Sequence, residues 1–216
     1  MSRRTYSDRD RRPGRRTAFR EPGMIIYIFC EGAVTERDYL NGCLGHFQNR
    51  LVKLIFKRTG AVPLTLVQAA KEARSAEGPD ATGDEFWCVF DTDDHPRVEQ
   101  AKLEARDSQI LLAVSNPSFE LWLLLHCERA PGMIHRDDVR ARLKSHHPDY
   151  NKQLAFDVIK DGYRKAVLEA IRLRKQAHQT REDGRNPSTD VDRLTERIRG
   201  DKPYPETGQG KSSHRN

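Results

Sequence analysis

The stretch Phe90-Asp91-Thr92-Asp93-Asp94-His95-Pro96 (FDTDDHP, residues 90–96) decides how this chain is read. It places three carboxylates within four residues, directly after the apolar run Phe86-Trp87-Cys88-Val89-Phe90. Crowded carboxylates repel one another and resist ionisation unless something positive sits between them. The stretch is therefore either a solvated turn that ends a strand or half of a metal site.

Working outward, the apolar runs at Met24–Cys30, Leu51–Phe56, Phe86–Phe90 and Ile110–Val114 predict four strands. Continuous Val, Ile, Phe and Tyr content is what a strand buried on both faces requires. Helical patterns separate them. Thr35 opens ERDYLNGCLGHF, with Asp38 three residues on as in a capping box. Pro63–Arg74 is amphipathic with Pro at a first helical position, and Pro96–Asp107 follows the acidic turn. Asn116 and Pro117 suit the cap and first turn of SFELWLLLHCE. Strands alternating with helices predict βαβ units and a mostly parallel four-stranded α/β sheet flanked by helices. Beyond Pro131 the pattern is helical over 135–145, 152–180 and 188–199, the last starting on a Ser/Thr cap.

In a parallel sheet, ligands gather beyond the carboxyl ends of the strands. Glu31 follows the first strand in CEGAVTE, and Asp91 and Asp93 follow the third. If those two strands are neighbours, three carboxylates converge on one rim. Hard oxygen ligands of this kind suit Mg²⁺ or Mn²⁺, which keep several waters and take phosphate oxygens as further ligands. The implied chemistry is metal-assisted attack on a phosphodiester. Taken singly, each acid also has a plainer reading: a loop carboxylate for Glu31, helix caps for Asp91 and Asp93. Asp94 before His95-Pro96 fits the start of the next helix better than a ligand. Glu36, in a first helical turn, is either a rim residue or an acid favoured by the helix dipole, the second being simpler.

The order strand–CEG–TExxY and then strand–DxDD resembles the Toprim fold. More specifically, CEGAVTERDYL, VFDTDDHP, SNPSFELWLLLH and NPSTDV in this order are similar to the RloB-like family, bacterial proteins found near restriction and phage-defence genes. The resemblance covers roughly residues 24–200. It implies a Toprim-like catalytic domain over 24–134 and a basic helical extension over 135–200. It also implies a nuclease acting on DNA or RNA in anti-phage defence or abortive infection, often paired with an ABC- or AAA-type ATPase. Carried over, Glu31 acts in proton transfer or as a ligand, and Asp91 and Asp93 hold the cation. The third block places Ser115, Asn116 and Glu120 near the rim. Glu120, a candidate catalytic residue, is then either a second metal ligand or a salt-bridge partner for an arginine. The chain has no separate tyrosine domain of topoisomerase size, so hydrolysis by an activated water is expected over strand passage. A non-catalytic nucleic-acid-binding or regulatory subunit is the alternative. The chain has no GxxxxGK[ST] phosphate loop of its own.

Charge is unevenly placed around this acidic body. The net charge is +6, with eight arginines against three acids in residues 1–23. Residues 24–134 hold 11 basic and 16 acidic residues, and residues 135–199 hold 16 basic and 11 acidic. Residues 1–23 and 201–216 read as disordered polar arms. Arg164, Lys165, Arg172, Arg174 and Lys175 lie on one long helical pattern with Ile159, Val167, Leu168 and Ile171 as its apolar stripe. They are candidate phosphate contacts, with Lys165 a candidate transition-state cation; the plainer reading is a solvated face. The four cysteines have no CxxC spacing and read as buried thiols rather than zinc ligands or disulfides. The longest apolar runs are too short to span a bilayer, and no apolar segment follows the N-terminal arginines, so a cytoplasmic protein without membrane contact is expected. Histidines and serines form no triad. A phosphotransfer domain of receiver or haloacid-dehalogenase type is disfavoured, because the acidic pair follows the third strand.

Overall fold

A computed structural model describes residues 23–32, 34–58, 62–77, 83–92, 95 and 97–200. The expected arms, and with them Asp93 and Asp94, lie outside those residues. The elements are β1 (Met24–Cys30), α1 (Thr35–Phe47), β2 (Val52–Arg58), α2 (Pro63–Glu77), β3 (Glu85–Asp91), α3 (Val98–Asp107), β4 (Leu111–Asn116) and α4 (Phe119–Cys127). They continue through α5 (Arg136–His146), α6 (Phe156–Ile159), a 3-10 turn (Lys160–Gly162), α7 (Tyr163–Gln179), β5 (Ser188–Thr189) and α8 (Val191–Arg199).

The sheet order is β2-β1-β3-β4-β5, parallel except for β5, so the first and third strands are neighbours. Alternation along each strand divides the core in two. Ile26, Ile28, Trp87, Val89 and Ala113 face α1 and α4 to α8. Tyr27, Phe29, Phe86, Cys88, Phe90 and Val114 face α2 and α3. Both faces of the sheet are thus covered, which is why these strands lack a polar alternation. The helices after residue 134 close the same core as β1 and β3: Val139, Phe156, Tyr163, Val167, Leu194 and Ile198 all belong to the first cluster. Among the described residues, no helix is long and apolar enough to cross a membrane. All four cysteines are free, and Cys30, Cys43 and Cys88 are buried.

Several local expectations are corrected. The sheet has a fifth strand: Ser188 and Thr189, expected to cap α8, pair antiparallel with Asn116 and Ser115. Two residues carry too little pattern to announce a strand. Thr35 does not close a capping box, since its hydroxyl donates to Lys152 O at 2.8 Å and no side chain caps α1. Asn116 is the last residue of β4 rather than a cap, and its Nδ2 donates to Gly184 O. The expected helix at 152–180 is broken at the 3-10 turn, where Gly162 meets the last turn of α4. Leu168 is 52% exposed, so the buried stripe of α7 is instead Tyr163, Ala166, Val167, Ala170, Leu173 and Ala177.

Candidate active site at the carboxyl rim

Three strands end at one level. Cys30 lies opposite Val89, and Asp91 lies opposite Ser115. Beyond β1 the backbone stays in step with β3, because Glu31 N donates to Val89 O at 3.2 Å. Glu31 and Asp91 are therefore brought to the same edge from positions sixty residues apart. Glu36 and Glu120 join them, each almost wholly buried, from the first turns of α1 and α4.

The loop between β1 and α1 explains how Glu36 gets there. A Cβ on Gly32 would lie 2.2 and 2.3 Å from the two carboxylate oxygens of Glu36. The carboxylate occupies the space that any other side chain would fill, and the Gly32 amide favours its charged form. Glu36 thus sits on the rim rather than serving only as a dipole acid.

Electrostatically the rim is overcrowded. Burial, then Glu36, Glu120 and Glu31 in that order, push the Asp91 carboxyl well above the ordinary carboxylate range, and Arg136 pulls weakly the other way. Burial likewise raises Glu36, with Glu120 and Glu31 adding to it. Such a set is short of positive charge.

Each acid is held differently. Glu31 Oε1 lies 3.2 Å from His95 Nε2, a partner the sequence did not announce. The other oxygen, Glu31 Oε2, is buried with no hydrogen-bond partner. Glu120 Oε1 accepts from the buried Tyr150 hydroxyl at 3.3 Å and lies 3.5 Å from Arg140 Nη2. Of the two readings of Glu120, the salt-bridge partner is the one with a visible arginine. Tyr150 and Arg140 were also missed, because α5 and the loop after it come to the rim only through packing on α4.

Buried polar atoms without partners are uncommon and call for an explanation. Glu31 Oε2, Ser118 Oγ and Arg140 Nε, in residues at or beside the rim, are of this kind, as is Trp122 Nε1 in the core. Acceptor and donor groups are both left open in the same neighbourhood.

Other expected residues are used elsewhere. Ser115 Oγ and Thr189 Oγ1 share a hydrogen bond at 2.9 Å, so Ser115 joins β4 to β5. Arg174 gives two 2.6 Å bonds to the buried Asp192 and a third to Thr189 O. Arg172 is bidentate with the buried Glu169. These arginines are ties between elements, with their guanidinium forks already filled. Lys165 donates to Cys127 O at 2.6 Å, at the opposite end of α4 from Glu120. Seven residues of helix put that about 10 Å along the axis from the rim, which is too far for a transition-state contact. Arg164 and Lys175 lie on exposed parts of α7.

The rim carboxylates offer oxygen donors, as a hard divalent cation requires. Among the described residues, no three His, Cys, Asp or Glu side chains form a group that could hold a metal ion. Asp93, the third expected ligand, lies outside them. Mg²⁺ commonly takes only one or two carboxylates and keeps its waters, and an open Glu31 oxygen beside an overcrowded Asp91 fits that mode of binding.

No curated protein and no solved structure matches the chain. The family model described as RloB-like protein matches residues 26–198, which takes in every strand end and helix of the rim, and the chain belongs to that family.

Proposed function

We propose that the protein is a divalent-metal-dependent phosphodiester hydrolase, an endonuclease acting on DNA or RNA. The observation that carries this reading is the open, buried Glu31 Oε2 beside an Asp91 whose charge its neighbours oppose. Glu31 and Asp91 would hold Mg²⁺ or Mn²⁺, with Asp93, two residues further along the sequence, as a third ligand. The metal supplies Lewis-acid polarisation of the phosphate and a more acidic bound water.

The chain's own groups have distinct tasks. His95, against Glu31 Oε1, is placed to take a proton and hand it outward. Tyr150 and Arg140 fix the Glu120 carboxylate at the rim. Glu36, seated over Gly32, adds negative charge that favours cation binding. The setting we infer is anti-phage defence in the cytoplasm, with the chain as effector of an ABC- or AAA-type ATPase. A non-catalytic subunit of such a complex is the alternative, and it predicts nucleic-acid binding that needs no rim carboxylate.

The deciding experiment incubates the purified protein with Mg²⁺ or Mn²⁺ and plasmid, single-stranded DNA or tRNA, alone and with the ATPase added. Cleavage that disappears in Glu31→Gln, with an unchanged melting temperature, is the expected result. Cleavage that persists in a clean Glu31→Gln preparation sinks the assignment.

Gly32→Ala gives a finer test. The new methyl meets the carboxylate end of Glu36 first, a side chain that can turn aside, so stability should hold within a few degrees. The displaced carboxylate leaves the rim, and activity should fall by roughly 10–100-fold, as when a supporting residue of a metal site is lost. Full activity in Gly32→Ala would exclude Glu36 from the site.

A further inference from the structure

The open polar atoms at the rim have opposite character. Glu31 Oε2 can only accept while ionised, and Arg140 Nε can only donate. A bare cation would satisfy the first and leave the second. A free anion would do the reverse. A cation with a phosphate attached satisfies both.

The arginines of the molecule separate on the same criterion. On α7, Arg172 and Arg174 have their forks filled by carboxylates at 2.6–2.9 Å. On α5, Arg140 is looser: 3.5 Å from Glu120 through Nη2 and 3.8 Å from Asp137 through Nη1. Both are longer than the roughly 2.7–2.9 Å of a charge-assisted hydrogen bond. Its side chain is one-third exposed, while Nε itself is buried and without a partner. Arg136 lies one turn earlier on the same helical face. Val139 and Leu143 anchor that helix in the core beside α4. The first-turn amides of α5 do not serve as the anion site, because Asp137, Asp138 and Val139 all donate to His135.

We infer that α5 is the phosphate-holding element of this site, with Arg140 Nε donating to a non-bridging oxygen of a phosphodiester and Arg136 adding charge one turn away. This rests on the metal-dependent reading above and supplies its substrate contact, a role that Arg172 and Arg174 of α7, with their forks filled, cannot fill. Glu120 is then a positioning residue: it holds Nη2 so that Nε points at the ligand. A planar fork suits phosphate better than the point charge of a lysine.

The test uses the full chain, Mn²⁺ and dimethyl phosphate, a minimal phosphodiester. Electron paramagnetic resonance reports Mn²⁺ binding, and Mn²⁺-induced ³¹P relaxation reports the phosphodiester. At matched Mn²⁺ occupancy, Arg140→Gln should bind dimethyl phosphate roughly tenfold more weakly than the wild type, the loss expected for one charged hydrogen bond. Arg140→Lys, which preserves charge and fold, should fall between the two. Equal phosphodiester affinity in wild type and Arg140→Gln, both loaded with Mn²⁺, overturns the inference. If Mn²⁺ does not bind at all, the metal-dependent reading fails by itself. Phosphodiester line broadening measured without metal must then still depend on Arg140, and equal broadening in Arg140→Gln again overturns the role of α5.

Discussion

Asp91→Asn is expected to lower metal-dependent cleavage by roughly 10³ or more while making the metal-free protein more stable. The two effects have one cause. Asp91 is partly buried near Glu36, Glu120 and Glu31, and its ionised form is opposed by all three. On the proposed function the same charge would hold the cation, and a metal's transition-state stabilisation is worth several kcal/mol, or about three decades in rate.

Without metal, removing the charge relieves the repulsion. Relief of unfavourable charge contributes about 0.5–2 kcal/mol, or roughly 1–8 °C in melting temperature for a chain of this size. The pH dependence has a definite sign. Asp91 titrates higher folded than unfolded, so the folded state takes up the proton first as pH falls. Its contribution to stability is therefore full below the ordinary carboxylate value and is lost as pH rises through the raised one. Wild type should accordingly lose its deficit against Asp91→Asn on acidification. Thermal melts with and without Mn²⁺ check this: Mn²⁺ should stabilise the wild type and leave Asp91→Asn unmoved. A less stable metal-free Asp91→Asn would contradict the crowding described at the rim.

Gly162→Ala should produce the largest loss of stability available from a single methyl group. Its Cβ would lie 2.1 Å from the carbonyl oxygen of His126, 2.7 Å from the carbonyl carbon and 2.9 Å from Cα. None of these is the end of a side chain that can turn aside. The last turn of α4 and the start of α7 must separate, and both are fixed by full burial of Trp122, Leu125, Ala166 and Val167. Overpacking of this kind costs about 1–3 kcal/mol, which corresponds to roughly 2–12 °C at this size.

Gly45 is the control. It lies in α1 with nothing within 4 Å of its Cβ position, and Gly45→Ala should gain up to about 1 kcal/mol from helix propensity. A pair of melts with opposite signs is the expected outcome. Equal melting of the two variants would refute the tight α4–α7 contact. Because α4 also carries Glu120, Gly162→Ala should in addition weaken cleavage below its own melting temperature.

The parts of this structure that were legible in the sequence are those written in contiguous residues. FWCVFD and MIIYIFC are long enough to show strands buried on both faces, and the acids directly after them mark the rim. The neighbouring placement of β1 and β3 entered only as a condition, and the strand order meets it. What stayed hidden depends on contacts between distant segments. Nothing in DDHP shows that His95 turns back onto Glu31, and nothing in RDDVRARL separates Arg140 from any solvated arginine of a helix. The α7 arginines illustrate the converse. RLRK reads as a phosphate-seeking face, yet Arg174 is matched by an Asp192 eighteen residues later that is buried to within 2%. Asn116 has the composition of a cap but ends a strand, because Ser188 pairs with it from seventy residues further on.

One corner of the fold bears on how the protein can be tethered. Met24 N donates to Leu51 O at 2.7 Å, and Asn49 Nδ2 donates to Ile198 O at 3.0 Å. Gly23 and Gly200 therefore both border the short loop Asn49–Leu51, at the amino end of the sheet. The acidic rim lies a full strand away, about 23 Å for seven residues. A linker grafted at Gly23 or at Gly200 would thereby be moored at the stern of the molecule, leaving the bow with its carboxylates facing whatever approaches.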